Sequence, residues 1–323
     1  MRKARERAIL EAVYDVDRFD MVCESESPDF RLRRRNERES FGVEVTEFYL
    51  FSSDARIKNI PGYVSDLFAG GKPRHKEDVE SLRVEKATWS KADGSDEETI
   101  DVIKRDLPEV SSYVQMVAAA IKRKDHKLAS YDRDLSHTNL IMFDQGTRLI
   151  TTSPDYFYSH FFTPEMNVAL TQTSFREIFF ITVLKDTGRV YVPLKRLFLL
   201  SNFYMFFWAH EEYQPNEEYS SVRAELELFA EFMHRQNVPV AFAESPEDEV
   251  ELLWSNYGIY VNDSGITIRD YSDYALPQKT TPFDENVRGS LLKLEFLDFL
   301  ESFRERNTFI SNMTCDVLQD APL

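Results

Sequence analysis

The amino-acid sequence predicts an α/β protein, with a mixed sheet flanked by helices and a C-terminal α+β accessory domain. Strand-like runs alternate with long helical runs over the first two thirds of the chain, as expected for helices packed on the faces of a sheet. The 323 residues are 42% hydrophobic, which suffices for one large core and an accessory domain. The net negative charge is concentrated in the C-terminal third.

Hydrophobic periodicity defines the elements of the first region. A helix is predicted over residues 3–18 and a long helical zone over residues 98–131, with a surface loop at 91–98. Strands are predicted over residues 19–22, 29–33, 42–51, 139–143, 177–184 and 189–193. The apolar run 197–209 contains Asn202 and is shorter than the ~20 residues of a membrane span. We therefore predict a buried core helix there and no membrane association.

A domain boundary is predicted at the polar run 211–218, which separates residues 1–210 from an acidic accessory domain, residues 211–323. The first part carries 31 Lys and Arg against 33 Asp and Glu, whereas the second carries 8 against 23. The second part opens with a predicted helix and closes with another over residues 291–303. A hairpin is predicted over residues 258–270. The opening helix is indicated by the helical spacing of Val222, Leu226, Phe229 and Met233.

Several classes of protein are excluded by missing motifs. Cys23 and Cys315 form no C-x-x-C pair, and the six histidines form no H-E-x-x-H motif, so a zinc site is not expected. With 10 glycines and no G-x-G-x-x-G or P-loop pattern, a nucleotide-cradling loop is not expected either. The N-terminus lacks the apolar run of a signal peptide. These features predict a cytoplasmic protein.

Two acidic residues on neighbouring strands form the main candidate site. Asp29 follows a proline at the start of one predicted strand, and Glu44 lies within the next. Because side chains alternate along a strand, Val43 and Val45 point to one face while Glu44 and Thr46 point to the other. Carboxylates on a packed face need a cation, and oxygen ligands suit Mg2+. The pair therefore indicates metal-assisted phosphodiester hydrolysis.

Lys124 lies in a gap of the apolar stripe on the following helix. A lysine directed at a core is costly unless a carboxylate receives it, so Lys124 is predicted to face the acids. Lys127 and Tyr131 share its face of the helix. The alternative interpretation is a solvated helix end, where the helix dipole favours positive charge. The apolar stripe consists of Val114, Val117, Ile121 and Leu128.

A second group of basic residues is predicted to contact phosphates. Most affinity for nucleic acid comes from such contacts, which predicts a positive groove beside the acids with the acidic domain turned away or covering it. The alternative is a solubilising hairpin loop. The predicted phosphate-binding residues are Arg33, Arg34, Arg35, Arg38 and Lys122.

The order of these signals resembles the PD-(D/E)XK nuclease superfamily over roughly the first 200 residues. Asp29 matches the first acid and Glu44 the second, while Thr46 stands where the superfamily has its lysine. The resemblance implies a restriction-endonuclease-like fold. It also implies Mg2+ or Mn2+ held by Asp29, Glu44 and the Val45 carbonyl, with Glu6 of the first helix as an additional ligand.

In some branches of the superfamily the lysine has moved to the following helix, and the resemblance assigns that role to Lys124. It gives Lys127 and Tyr131 supporting roles. It also implies a nuclease that acts on DNA in bacterial anti-phage defence. Separately from the resemblance, the C-terminal domain is predicted to supply specificity, dimerisation or restraint, through homo-oligomerisation or binding of a partner protein. Two alternatives stay open. One is a catalytically inactive nuclease fold that binds nucleic acid or a partner, and the other is an acidic interaction protein.

Overall fold

The structure is a computed structural model of a mixed α/β protein, organised around a six-stranded mixed sheet. A five-stranded antiparallel sheet lies in the C-terminal part of the chain, and a two-stranded hairpin forms a third, smaller sheet. The described residues are 2–90, 97–131, 134–146, 148–213, 222–244, 250–262, 265–272, 276–277, 279–283, 296, 299–300 and 319–320.

The helices and strands are numbered in chain order. The helices are α1 (Arg2–Glu11), α2 (Ser52–Asn59), α3 (Tyr63–Phe68), α4 (Asp78–Ser81), α5 (Val110–Leu128), α6 (Pro154–Phe161), α7 (Pro164–Gln172), α8 (Leu194–Tyr213) and α9 (Val222–Arg235), with a 3₁₀ turn at Val16–Arg18. The strands of the first region are β1 (Phe19–Glu24), β2 (Phe30–Arg34), β3 (Ser40–Phe48), β4 (Arg83–Ser90), β5 (Glu97–Lys104), β6 (Leu135–Asp144), β7 (Ile178–Leu184) and β8 (Gly188–Pro193). The remaining strands are β9 (Ala241–Glu244), β10 (Val250–Trp254), β11 (Tyr257–Asn262), β12 (Gly265–Asp270), β13 (Thr280–Pro282) and β14 (Gln319–Asp320).

The main sheet has the order β1-β2-β3-β6-β7-β8, and the short strand β14 extends its β8 edge. Strands β1, β2 and β3 form an antiparallel meander, β3, β6 and β7 are parallel, and β8 returns antiparallel to β7. The parallel connection from β3 to β6 contains α5, as a crossover between parallel strands requires. Strand β3 is therefore an interior strand with neighbours on both sides.

The two faces of the main sheet bury different clusters. Val43 and Val45 of β3 lie with Ile9 and Leu10 of α1 in one cluster. The alternate positions of the sheet face α5, α6, α7 and α8, which contribute most of a larger cluster. The predicted alternation along β3 is confirmed for the two valines. Both faces are covered, which explains why this sheet is rich in fully buried side chains.

The hydrophobic core continues from the first region into the C-terminal part. Phe198 of α8 packs on Trp254 of β10 with ring centroids 5.2 Å apart, and both belong to the larger cluster. The buried carboxylate of Glu177 accepts a hydrogen bond from the Tyr257 hydroxyl at 2.5 Å and from the Lys195 amide at 2.9 Å. The boundary near residue 211 stays a prediction, but apolar contacts cross it.

The largest error of the sequence prediction lies at the start of the long helical zone. Residues 97–104 form β5, which pairs with β4, and α5 begins only at Val110. The run Thr99 to Ile103 contains β-branched residues at alternate positions, and Pro108 then separates strand from helix. The predicted loop 91–98 overlaps β5 at its last two residues, and residues 91–96 lie outside the described residues.

Other boundaries differ less. The first helix ends at Glu11 rather than residue 18, because Asp15 accepts a hydrogen bond from the Asp17 amide and opens a separate 3₁₀ turn. The predicted helix with Val222 is confirmed as α9, and the predicted C-terminal hairpin as β11 and β12. The helix predicted at 291–303 lies almost entirely outside the described residues. Within the part of the chain that the structure describes, no helix combines the length and apolarity of a membrane span.

Candidate functional site

Asp29 and Glu44 are placed side by side by the pairing of β2 with β3. Phe30 pairs with Val43, so the next position in each strand brings Asp29 beside Glu44. The Val45 amide donates a hydrogen bond to Asp29 Oδ2 at 2.9 Å, which fixes the aspartate on the interior strand. The two acids are 6% and 7% exposed. The structure thus creates a recessed pair of carboxylates.

Glycine at position 42 permits this close packing. A Cβ atom on Gly42 would lie 2.6 Å from Pro28 Cγ, which is far inside normal van der Waals contact. Pro28 immediately precedes Asp29, so the approach of the two chain segments depends on a residue without a side chain. Gly42 is therefore part of the local architecture that positions the aspartate.

Lys124 reaches the acid pair from α5. Its Nζ lies 2.6 Å from Glu44 Oε1, and the lysine side chain is 21% exposed against 9% for the glutamate. Val117 and Ile121 anchor the same helix in the larger hydrophobic cluster. The structure therefore places Lys124 against the acids, as its position in the gap of the apolar stripe predicted. Lys127 is exposed at the helix end and contacts neither acid among the described interactions.

Tyr131 faces Glu44 from the segment that follows α5. Burial, followed by the nearby charge of Glu44, raises the pKa of the Tyr131 hydroxyl far above its usual value, although the hydroxyl has no hydrogen-bond partner among the described residues. The hydroxyl therefore stays protonated at neutral pH and is available as a donor to Glu44. Tyr131 and Lys124 approach the glutamate from the same side of the sheet.

Lys3 of α1 is a contact of the acid site that sequence reasoning missed. Its Nζ lies 3.2 Å from Asp29 Oδ1 and 3.2 Å from Glu6 Oε2. It also donates to the Ser25 carbonyl at 2.8 Å. The position of Lys3 one helical turn before Glu6 was the available signal, because side chains three apart share a helix face.

The carboxylates also affect one another. Burial raises the pKa of the Asp29 carboxyl, and the charges of Glu44 and Glu6 raise it further, against the lowering effect of the hydrogen bonds from Val45 and Lys3. The Asp29 carboxyl thus lies close to the charges of two other acids. A divalent cation bound there would relieve the repulsion between them.

The oxygen ligands of the acid pair fit Mg2+ or Mn2+ better than a softer metal. Among the described residues, however, no three His, Cys, Asp or Glu side chains converge as a metal site. Glu6 instead contacts the Lys3 ammonium, which lies between it and Asp29. The arrangement supports a site of two carboxylates, Asp29 and Glu44, and the Val45 carbonyl stays a predicted ligand.

A cleft of about 440 Å³ lies beside the acid pair. Lys124 and Thr46 line it, whereas Asp29 and Glu44 are not among its lining residues. Lys124 contacts Glu44 and therefore stands between that acid and the cleft. The other lining residues are Glu47, Phe48, Tyr49, Ser52, Ala55, Ala120, Arg123, Lys127 and Met142.

The predicted arginine groove does not form beside the acids. Arg33 pairs with Asp20 on β1 at 3.0 Å. Arg34, Arg35 and Arg38 lie at the turn between β2 and β3, at the opposite end of β2 from Asp29. At about 3.3 Å per residue, the five steps from Asp29 to Arg34 span about 16 Å. The extended geometry of the hairpin therefore separates this basic group from the acids.

Lys122 also lies away from the cleft. It is exposed, and its charge helps to lower the pKa of Glu165 in α7, after hydrogen bonds from the Glu165 backbone and from Thr163. Arg123, the next residue along α5, lines the cleft instead. Arg123 stands four residues before Lys127, which places both side chains on one face of the helix.

Comparison of the chain with protein-family models, curated proteins and solved structures gives no match. The fold and the geometry of the acid pair therefore carry the functional argument alone.

Proposed function

We propose that the chain is a metal-dependent nuclease whose site consists of Asp29, Glu44 and Lys124. The contact of the Lys124 ammonium with Glu44, beside Asp29, carries the proposal. It joins two recessed acids and a cation on one face of the sheet, which is the combination that phosphodiester hydrolysis uses.

The order of elements supports the same proposal. Helix α1, the β1–β2–β3 meander, α5 and the parallel strand β6 occur in the order that the resemblance to the PD-(D/E)XK superfamily implies, with α2, α3, α4 and the β4–β5 hairpin inserted between β3 and α5. The two acids lie on β3 and directly before β2, and the lysine lies on α5. This agreement favours a restriction-endonuclease-like core in which the lysine has moved from the strand to the helix.

Asp29 and Glu44 would hold Mg2+ or Mn2+, which when bound supplies Lewis-acid activation of a phosphoryl oxygen and of water. The Val45 amide keeps Asp29 oriented. The protonated Tyr131 hydroxyl, which makes no hydrogen bond within the described part of the chain, is available as a donor beside Glu44. Lys124 stands between the acids and the cleft, where its ammonium stabilises negative charge that develops on the phosphate. Thr46 lines the cleft and offers a hydroxyl to a phosphate oxygen.

A second candidate function is an inactive nuclease fold that binds nucleic acid. Lys3 and Lys124 already contact Asp29 and Glu44 respectively, so the acids are charge-compensated without a metal. Together with Thr46 in place of the strand lysine, this favours binding without cleavage. The two candidates differ in one measurable property, which is whether a divalent metal binds at the acids.

Cleavage assays on the full chain test the proposal. Single- and double-stranded DNA and RNA are incubated with Mg2+, Mn2+ or EDTA, with Glu44→Gln and Asp29→Asn as site variants and Glu11→Gln as an α1 control. We expect metal-dependent cleavage by the wild type and the control only. Metal at 100 times its dissociation constant stabilises by about 2.7 kcal/mol, so the melting temperature reports binding independently. Metal-induced stabilisation that persists in Glu44→Gln, or its absence from the wild type, rules out this site.

A further inference from the structure

The cleft beside the acid pair contains basic side chains that the catalytic proposal does not use. Arg123 and Lys127 are both exposed and both line it. Within the described part of the chain, neither side chain has an ion pair or hydrogen bond. Two adjacent, uncompensated cations in a protein of net charge -17 mark this cleft as a surface for an anionic ligand.

The acidic residue that lines the cleft does not neutralise these cations. Glu47 accepts from the Tyr49 hydroxyl at 2.6 Å and from the Lys58 ammonium at 3.0 Å, and it also pairs with Arg5 of α1. The charge of Glu47 is therefore compensated by Lys58 and Arg5, which do not line the cleft. The Tyr49 hydroxyl is fixed by Glu47, and the Lys58 ammonium lies 5.7 Å from the centroid of the Tyr49 ring.

The dimensions of the cleft limit the form of the ligand. Its walls are α5, with Arg123 and Lys127, and the start of α2, with Ser52 and Ala55. A volume of about 440 Å³ between two helices is enough for a few ligand groups but not for a duplex. The acids are recessed behind Lys124, so a phosphate must enter the cleft to approach them.

We propose that the cleft binds one single nucleic-acid strand, whose phosphates next to the cleavage position contact Arg123 and Lys127. This inference rests on the proposed nuclease function and specifies its substrate as a single strand or a single-stranded end.

Binding of labelled oligonucleotides to the full chain in EDTA tests the proposal without cleavage. Fluorescence anisotropy compares a single strand of about 15 nucleotides, which is the scale of such sites, with the matching duplex. The test variant is Arg123→Ala/Lys127→Ala, and the control is Lys122→Ala, an exposed lysine on the same helix outside the cleft. We expect the double variant to bind the single strand about tenfold or more weakly, as loss of charge-assisted contacts predicts.

The salt dependence gives a second readout. Loss of two phosphate contacts on a single strand should reduce the slope of log K against log salt by about 1.4. Unchanged single-strand binding in the double variant, or tighter binding of the duplex through the same two residues, overturns the proposal. Duplex cleavage that is unaffected by the double variant refutes the inference but leaves the nuclease proposal intact. Single-strand binding that needs both residues, without cleavage of any substrate, supports the inference and refutes the nuclease.

Discussion

Lys124 and Glu44 are 80 residues apart in the chain, yet the lysine Nζ lies 2.6 Å from the glutamate Oε1. The contact depends on the crossover geometry, because α5 lies on the sheet between the parallel strands β3 and β6. The ammonium is thereby held at the entrance to the acid pair. This relationship leads to the first prediction.

Substitution of Lys124 by alanine should reduce cleavage by about two orders of magnitude, since one lost charge-stabilising group costs about 3 kcal/mol of transition-state stabilisation. Single-turnover rates at saturating substrate measure the effect. The control is Lys122→Ala, two residues earlier on α5. It should retain the wild-type rate because the Lys122 side chain faces α7. Equal rates for Lys124→Ala and wild type, with both proteins folded by melting temperature, would contradict the assigned role.

Replacement of Lys3 by methionine should tighten metal binding and should lower the folding stability of the metal-free protein. The ammonium contacts Asp29 Oδ1 at 3.2 Å and therefore competes with a cation for that oxygen. Because Lys3 is partly exposed, the metal-free cost should be no more than about 1 kcal/mol. Melting temperatures with and without Mn2+ measure both effects, with Arg7→Met on α1 as the control. A smaller metal-induced shift in Lys3→Met would show that the lysine supports the site instead.

Stability should fall with rising pH because of Asp144. Burial raises its pKa to about 6, despite hydrogen bonds from Tyr113, Gly146 and Thr182. Because the pKa of Asp144 is higher in the folded protein than in the unfolded chain, folding favours the protonated carboxyl. The resulting stability is complete below about pH 4 and is lost as the pH rises through about 6.

The size of this loss is on the order of 3 kcal/mol, from about two pKa units at 1.36 kcal/mol each. Urea unfolding of wild type and Asp144→Asn at several pH values between these limits measures it. We expect the free energy of unfolding of the variant to rise relative to wild type as the pH increases. If the difference in free energy of unfolding between the two proteins did not change with pH, Asp144 would not be the cause of the pH dependence.

Replacement of Tyr257 by phenylalanine should destabilise the fold by about 1–3 kcal/mol, the usual cost when a buried acceptor loses its hydrogen-bond donor. The Tyr257 hydroxyl is a buried donor to Glu177. Tyr204→Phe is a matched control, because that tyrosine is 51% exposed on α8. Chemical unfolding monitored by fluorescence compares the two. Equal stabilities of both variants would show that the Glu177 contact contributes little.

The sequence predicted the acid pair and its lysine well because both depend on local periodicity. Alternation along β3 assigns Glu44 to the face opposite Val43, and helical spacing assigns Lys124 to the packed side of α5. In contrast, the contact of Lys3 with Asp29 requires knowledge of where α1 crosses the sheet. Spacing within one element carries no information about such a crossing.

The arginine cluster shows the reverse limitation. Arg33 and Arg35 lie close to Asp29 in sequence, but an extended strand converts each residue into about 3.3 Å of distance. A helix rises only about 1.5 Å per residue, so Arg123 and Lys127 remain near the site through Lys124. The type of element, more than separation in the chain, determined which basic residues stayed close to the acids.

The burial of Trp254 and Tyr257 against α8 and Glu177 has a consequence for the ancestry of the chain. Halves that meet through a common apolar interior cannot be exchanged freely between proteins, because each half completes the packing of the other. The C-terminal part of the chain is therefore expected to share one evolutionary history with the first region and to have been inherited with it.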